Sequence, residues 1–372
     1  MQETVHVIVP AGKTASDIAR IRARGAAMFR RLSSCLNALA VAFSCLLPGQ
    51  AKAADRLPAL GADSSQVSVS GLSAGAFMAV QYAVAYSKSV IGAGIIAGGP
   101  YYCAAGNPLN IGVCMGQSMW GGPNPAFMAQ FAHDFGESGA IDPLVNLQRE
   151  KIYVFSGNDD MVVRQPAVDA TVEFFRQLGV PAANLTYVNT VAAGHAFISP
   201  LQSTTNACSA NASPYVSHCK VGNEPYDQAG ALLAFIYEGI RPPAGSLTGS
   251  PTDSLTGSLI TFDQTEFAGT FAAMSSEGIA YVPQYCSQNP GCRIHVVFHG
   301  CLQSAEQVRK NTTYDNWADQ NRIVVVYPQV SGSSAPSGCW DWYGYTGADY
   351  AWKTGQQLQA VRAMVNRLTS RR

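Results

Sequence analysis

Residues 71–75, Gly-Leu-Ser-Ala-Gly, bracket one serine with two glycines, directly after the alternating run VSVS and just before the apolar stretch AFMAVQYAVAY. This G-x-S-x-G pattern is that of a strand-to-helix turn that lifts a serine hydroxyl out of the top of a sheet. A serine hydroxyl is a weak nucleophile until a base takes its proton, and that base is usually a histidine held in one tautomer by a carboxylate. Beyond residue 53 the chain offers His133, His195, His218, His295 and His299. His195 fits best, because AAGHAF follows the strand-like NLTYVNT and its glycine lets the backbone turn beside the ring. The acid belongs at the end of the strand before it, in VFSGNDDMVV. There the spacing from Gly157 through Asp160 to Val163 favours Asp160, with Asp159 as its competitor; a carboxylate at this place can also simply cap the following helix.

Acyl transfer needs hydrogen-bond donors aimed at the oxyanion that develops on the attacked carbonyl, each often contributing more than about 2 kcal/mol. The amide of Ala74, next after Ser73, is one. The second normally comes from an HG-type loop that precedes the nucleophile in sequence. Between Ala54 and Ser73 there is none; it occurs instead far downstream, in VVFHGC, as His299-Gly300-Cys301.

The elements that must position these groups alternate short β-rich runs with helical ones, the pattern of an α/β protein with a mostly parallel sheet flanked by helices. QVSVS, VIGAGIIAG, KIYVFSG (151–157), NLTYVNT (184–190), RIHVVFHG (293–300) and RIVVVYP (322–328) read as strands. Helices are expected over AFMAVQYAVAY, 166–179, 226–237 and 355–368, and a Gly/Pro/Asn-rich loop or lid over 100–125. Residues 246–258, SLTGSPTDSLTGS, are small, polar and nearly repeat themselves, which is linker composition. A linker suggests two domains, yet neither half alone holds a complete site. Moving the 293–368 block ahead of residue 66 restores the ordinary order of an α/β-hydrolase fold: strand, HG loop, strand, helix, then strand and elbow. The expectation is therefore one circularly permuted domain over 54–372, with about 243–258 joining the ancestral ends, which in compact domains often lie close together.

The first 53 residues differ from the rest. Arg30 and Arg31, an apolar run to Leu47 and the small-x-small site Ala51-Lys52-Ala53 read as an export signal over 28–53, with 1–27 as a non-native upstream extension. The apolar run is short of the roughly 20 residues that a spanning helix needs. Formal net charge is zero over 372 residues with 13% charged side chains, so neither nucleic acid nor a membrane surface is an expected partner. Eight cysteines lie beyond the signal, Cys103, Cys114, Cys208, Cys219, Cys286, Cys292, Cys301 and Cys339. An even count without paired C-x-x-C spacing favours disulfides over a metal. Eight cysteines allow about 105 connectivities; sequence neighbours make natural local pairs at 103/114, 208/219 and 286/292, which leaves Cys301 with Cys339.

With GLSAGAFMA, SGNDDMVV, GHAF, LITFDQTEF, VVFHGCLQ, YPQ and GCWDW in hand, the chain from about Gln66 onward resembles the secreted, single-domain, circularly permuted poly(3-hydroxybutyrate) depolymerases. FHGCLQ together with CW-x-W in permuted order is the specific part; GLSAG and GHAF occur in many esterases. The resemblance implies a cofactor-free and metal-free serine esterase, secreted or periplasmic and monomeric, that cleaves polyester. It also implies an oxyanion hole from the amides of Ala74 and Cys301 and a tryptophan at the cleft entrance, Trp340 or Trp342. A Cys301–Cys339 disulfide would then tie the oxyanion loop to the tryptophan loop. The chain lacks the separate substrate-binding domain of many depolymerases, so adhesion to solid polymer falls to exposed apolar residues, with Tyr101, Tyr102, Met115, Met119 and Trp120 of the 100–125 loop as candidates. The competing readings are a feruloyl or acetyl esterase acting on plant polysaccharide, which keeps the mechanism, and a non-catalytic binding protein on a hydrolase scaffold, against which the intact set of groups speaks.

Overall fold

A computed structural model describes residues 54–119, 121–202, 204–244, 247 and 255–371. The expectations for 1–27 and 28–53 lie outside the described residues, as do most of the linker and Trp120.

Eight strands make the main sheet: β1 (Val67–Leu72), β2 (Val90–Ile96), β3 (Lys151–Phe155), β4 (Leu185–Val188), β5 (Ser258–Asp263), β6 (Glu277–Val282), β7 (Arg293–Phe298) and β8 (Ile323–Tyr327). Across the sheet they run β5-β6-β8-β7-β1-β2-β3-β4. Only β6 is antiparallel to its neighbours; every other pairing is parallel. The apolar runs IVVVY and VSVSGL are buried at every residue, as strands covered on both faces must be.

Counting the strands from residue 258 first turns the spatial order into 1-2-4-3-5-6-7-8, a sheet in which the strand carrying HG lies directly beside the strand carrying the elbow. Strands from before and after the linker thus share one sheet, with Val67 to Gly71 of β1 in parallel register with Ile294 to Phe298 of β7. Ala54–Arg372 forms one compact unit. The C-terminal helix delivers the chain to where β1 begins: the amides of Leu60 and Ala62 both donate to the Leu368 carbonyl. This is the permuted α/β-hydrolase fold.

Among the described residues the seven longest helices are α1 (Ala74–Ala85), α2 (Pro125–Glu137), α3 (Gln165–Gln177), α4 (Gln228–Ile236), α5 (Ala305–Asn311), α6 (Tyr314–Asn321) and α7 (Gln356–Thr369). Helices cover both sheet faces because alternate β1 residues point opposite ways. Gly71 meets the first turn of α1, while Ser68 and Ser70 reach Tyr237 and Tyr314 on the other face. Every residue of α1 is buried. Helix α5 starts at a capping box between Ser304 and Gln307, and α4 at Asp227, which accepts from the Gly230 amide.

All four disulfides pair as the spacing suggested: Cys103–Cys114, Cys208–Cys219, Cys286–Cys292 and Cys301–Cys339. The 100–125 segment is less open than a lid. It holds a helical turn at Pro108–Asn110 and a short helix at Ile111–Cys114, and its first disulfide folds it back on itself.

Candidate active site

Ser73 sits between β1 and α1 with φ 58° and ψ −125°, a backbone region that holds a non-glycine residue at a cost of about 1–3 kcal/mol. The surrounding glycines make that turn sterically feasible. A Cβ on Gly71 would lie 2.2 Å from the Gly75 carbonyl oxygen, and one on Gly75 would lie 2.3 Å from the Phe298 carbonyl oxygen at the end of β7. Gly75 therefore lets the elbow press against the HG strand. Its consequence is contact between the two motifs: a Cβ on Gly300 would be 3.6 Å from that of Ser73.

The HG loop presents one spare donor. The Gly300 amide donates to Gln303 Oε1 at 2.7 Å and the Leu302 amide to the Ser337 carbonyl. Among the described residues the amides of Cys301 and Ala74 have no protein acceptor, and both residues line the same cleft as Ser73. The loop is gripped from behind by His299, whose Nδ1 lies 2.8 Å from the Gly300 carbonyl oxygen and whose Nε2 accepts from the Val330 amide. Burial pushes the His299 imidazole down to about 4, so it is neutral at pH 7 and its Nδ1–H is the donor to Gly300.

His195 and Asp160 are brought together 35 residues apart in sequence. His195 Nδ1 donates to Asp160 Oδ2 at 2.8 Å, and both side chains are almost fully buried. The other oxygen, Oδ1, accepts the amides of Val162 and Val163 at 2.8 and 2.9 Å, which fixes the carboxylate plane. Asp159 is exposed and turns away; its main chain is instead held by Ala193 and Asn211. Asn211 joins the acid and base loops, since its Oδ1 accepts the amides of both Met161 and His195.

These groups open onto a cleft of about 340 Å³ lined by Ser73, Ala74, His195, Gly300 and Cys301, with apolar walls from Phe77, Ile111, Met115, Val162, Val163, Leu302 and Trp342. Trp342 stacks on Phe77 with ring centroids 4.4 Å apart. Trp340 does not reach the cleft. It is fully buried, edge-on to Phe298 and beside His299, which corrects the expectation of Trp340 as a substrate contact. Tyr101 is corrected too: it is fully buried, stacked on Phe174 and donating to the Ala351 carbonyl. Trp120 lies outside the described residues. Of the remaining aromatic or apolar candidates from 100–125, Met115 lines the cleft and Met119 is 89% exposed.

Sequence reasoning missed Phe77, Tyr215, Leu302, Asn211 and Gln303. Gln303 stood in the quoted FHGCLQ, but nothing local showed its partners, which lie 88 and 89 residues away. His295 is a decoy of the opposite kind. It bonds Ser68 and Ser70 within the sheet, a Ser–His pairing that is fully buried and does not line the cleft that holds Ser73.

A family described as "Esterase PHB depolymerase" matches residues 280–371, the block with the HG loop and Trp342. The chain is 42% identical over 331 residues to a poly(3-hydroxybutyrate) depolymerase of Delftia acidovorans, covering 87% of this chain and 63% of that protein. It is 35% identical over 358 residues to a polyhydroxybutyrate depolymerase of Talaromyces funiculosus, covering 90% of this chain and 98% of that one. Among solved structures, a PHB depolymerase complexed with an R3HB trimer superposes with a TM-score of 0.71 at 34% identity, and the PHB depolymerase from Penicillium funiculosum with 0.70 at 35%. Each covers 84% of this chain and 98% of its own. With 35% identity over 98% of the Talaromyces protein and two solved PHB depolymerases of the same fold, the chain belongs to the PHB depolymerase family of α/β-hydrolase carboxylic ester hydrolases.

Proposed function

We propose that this chain hydrolyses the ester bonds of poly(3-hydroxybutyrate)-type polyesters through an acyl-enzyme, with Ser73 as nucleophile, His195 as base and Asp160 as its orienting acid. Ser73 Oγ attacks the ester carbonyl while His195 Nε2 takes its proton. The tetrahedral oxyanion faces the amides of Ala74 and Cys301, and the proton then passes from His195 to the leaving alkoxide. Water, deprotonated by the same imidazole, releases the acid and restores Ser73. No redox step or group carrier enters this sequence.

The observation that carries the reading is the Asp160–His195 hydrogen bond at the edge of the cleft that also holds Ser73 and Cys301. Apolar walls suit a short aliphatic hydroxyacid chain, and the two kinds of relative named above carry that substrate in their names. Adhesion to solid polymer falls to exposed apolar side chains such as Leu109, Met119, Met161 and Leu302, each at least 60% exposed. Four disulfides fit an oxidising compartment, and hence export.

A clearing-zone assay on amorphous poly(3-hydroxybutyrate), with wild type beside Ser73→Ala, tests this. Wild type should clear and Ser73→Ala should not. Clearing by the variant refutes the nucleophile, and turnover of methyl ferulate without any clearing refutes the substrate class.

A further inference from the structure

Besides the Leu302 amide's bond to Ser337, three side-chain devices hold the loop that bears Cys301. The disulfide to Cys339 and the His299 ring both fasten it on its own side of the cleft, to the 330–339 segment. The third runs the other way. Gln303 is nearly buried, at 5% exposure, and spends both ends of its amide. Oε1 accepts the Gly300 amide at 2.7 Å, while Nε2 donates to the carbonyls of Pro214 at 2.7 Å and Tyr215 at 3.2 Å. The Tyr215 ring stands edge-on to His195 with centroids 5.9 Å apart, and the Tyr215 carbonyl also accepts the Phe197 amide, two residues past His195. One side chain thus connects the loop that would hold the oxyanion to the segment that packs on the base.

We infer that Gln303 is a positioning residue that sets the separation between the Cys301 amide and the His195 imidazole; this rests on the roles proposed above for those two groups. The reasoning is geometric. Oxyanion stabilisation depends on a donor placed to within a few tenths of an ångström of where charge develops, and proton transfer depends equally on where the imidazole stands. The two groups come from segments about 100 residues apart, in loops that follow different strands of the main sheet, so their relative placement needs a direct tie. Gln303 is that tie. By occupying the Gly300 amide it also leaves Cys301 as the donor that faces the cleft. The bonds at both ends of the amide are needed together, and a glutamine amide supplies one acceptor and two donors at the required reach.

The test uses Gln303→Met, which keeps the volume and loses all three bonds, and Gln303→Asn, which keeps the amide but is one methylene too short to span the gap. Each is assayed on soluble p-nitrophenyl butyrate beside wild type and Ser73→Ala, with thermal melts recorded for all. We expect kcat to fall about 10- to 100-fold in both variants with KM within about twofold, as for loss of an interaction made only in the transition state. Affinity for a boronic acid, which forms a tetrahedral adduct, should weaken in the same proportion as kcat. Binding of a non-reactive substrate amide should change less than twofold. A purely structural role predicts lowered melting temperature with kcat unchanged at a temperature well below the melt. Wild-type kcat in either folded variant, or equal weakening of boronate and substrate-amide binding, overturns the inference. If Gln303→Met fails to fold, Gln303→Asn decides. Activity in Ser73→Ala would instead sink the site assignment itself, so the two failures are distinguishable.

Discussion

Asp160 Oδ2 accepts the Nδ1–H of His195 at 2.8 Å, and its partner oxygen is filled by two backbone amides, so the carboxylate cannot rotate away from the imidazole. The neighbouring Asp159 makes no such contact and is exposed. Asp160→Asn should lower kcat on p-nitrophenyl butyrate by about 10⁴-fold, the loss expected when the base is held in the wrong tautomer, with KM little changed. Asp159→Asn should stay within about threefold of wild type. The reverse ranking would move the acid to Asp159.

The Cys301–Cys339 bridge closes a loop of 38 residues and joins the oxyanion loop to the one carrying Trp342. Chain-entropy reasoning gives such a closure a stabilisation of about 2–4 kcal/mol. The double variant Cys301→Ala/Cys339→Ala should therefore melt lower and also lose kcat by about tenfold or more, since the Cys301 amide is no longer fixed. Cys286 and Cys292, six residues apart and outside the cleft, provide the control. Their double alanine variant should keep wild-type kcat at temperatures below its melt. Equal kcat in both double variants would show that the first bridge has no bearing on the site.

How far the sequence could be read is clearest at CWDW. Ser73, Asp160, His195 and the HG loop were legible because each sits in a short pattern whose steric or chemical requirement is local, such as the two glycines that the elbow needs. Trp340 and Trp342 could not be told apart from type or spacing, because neighbours two apart share the same local pattern. Tertiary context separates them: Asp341 accepts the amides of Tyr343, Gly344, Tyr345 and Thr346, curling the chain so that Trp340 enters the core and Trp342 stands against Phe77. Tyr101 was misread for the same reason, since the rings that pack on it come from α2 and α3 and its hydroxyl's acceptor is the distant Ala351 carbonyl. The permuted order of elements along the chain, by contrast, followed from where HG lay relative to GLSAG, although strands β5 and β6 were not among those read from the sequence. Trp342 lines the cleft and is only 5% exposed, so Trp342→Ala should raise KM for soluble oligomers about tenfold as well as lower the melt. Trp340→Ala should lower stability by about 3–5 kcal/mol, the range for truncating a fully buried aromatic. Steady-state kinetics with parallel thermal melts separates the two effects.

Two buried histidines make the fold acid-sensitive. Burial lowers the His295 imidazole to about 3 and His299 to about 4, both below the value of about 6.5 in an unfolded chain. Between about pH 6.5 and 4 the unfolded state therefore binds protons that the folded state refuses, so stability is present above 6.5 and is lost as pH falls. The slope from the pair is about 2.7 kcal/mol per pH unit in that window. His295 is bonded at Nδ1 to Ser68 and at Nε2 to Ser70, with Tyr237 and Tyr314 closing the network, and no carboxylate stands among these partners to hold a proton on it. Denaturant melts at steps of half a pH unit should show stability falling steeply below 6.5. His295→Gln, whose amide can still reach the serines, should remove about half the slope while leaving kcat at pH 8 within about threefold. A slope unchanged by that substitution would mean that His295 is not the group that titrates.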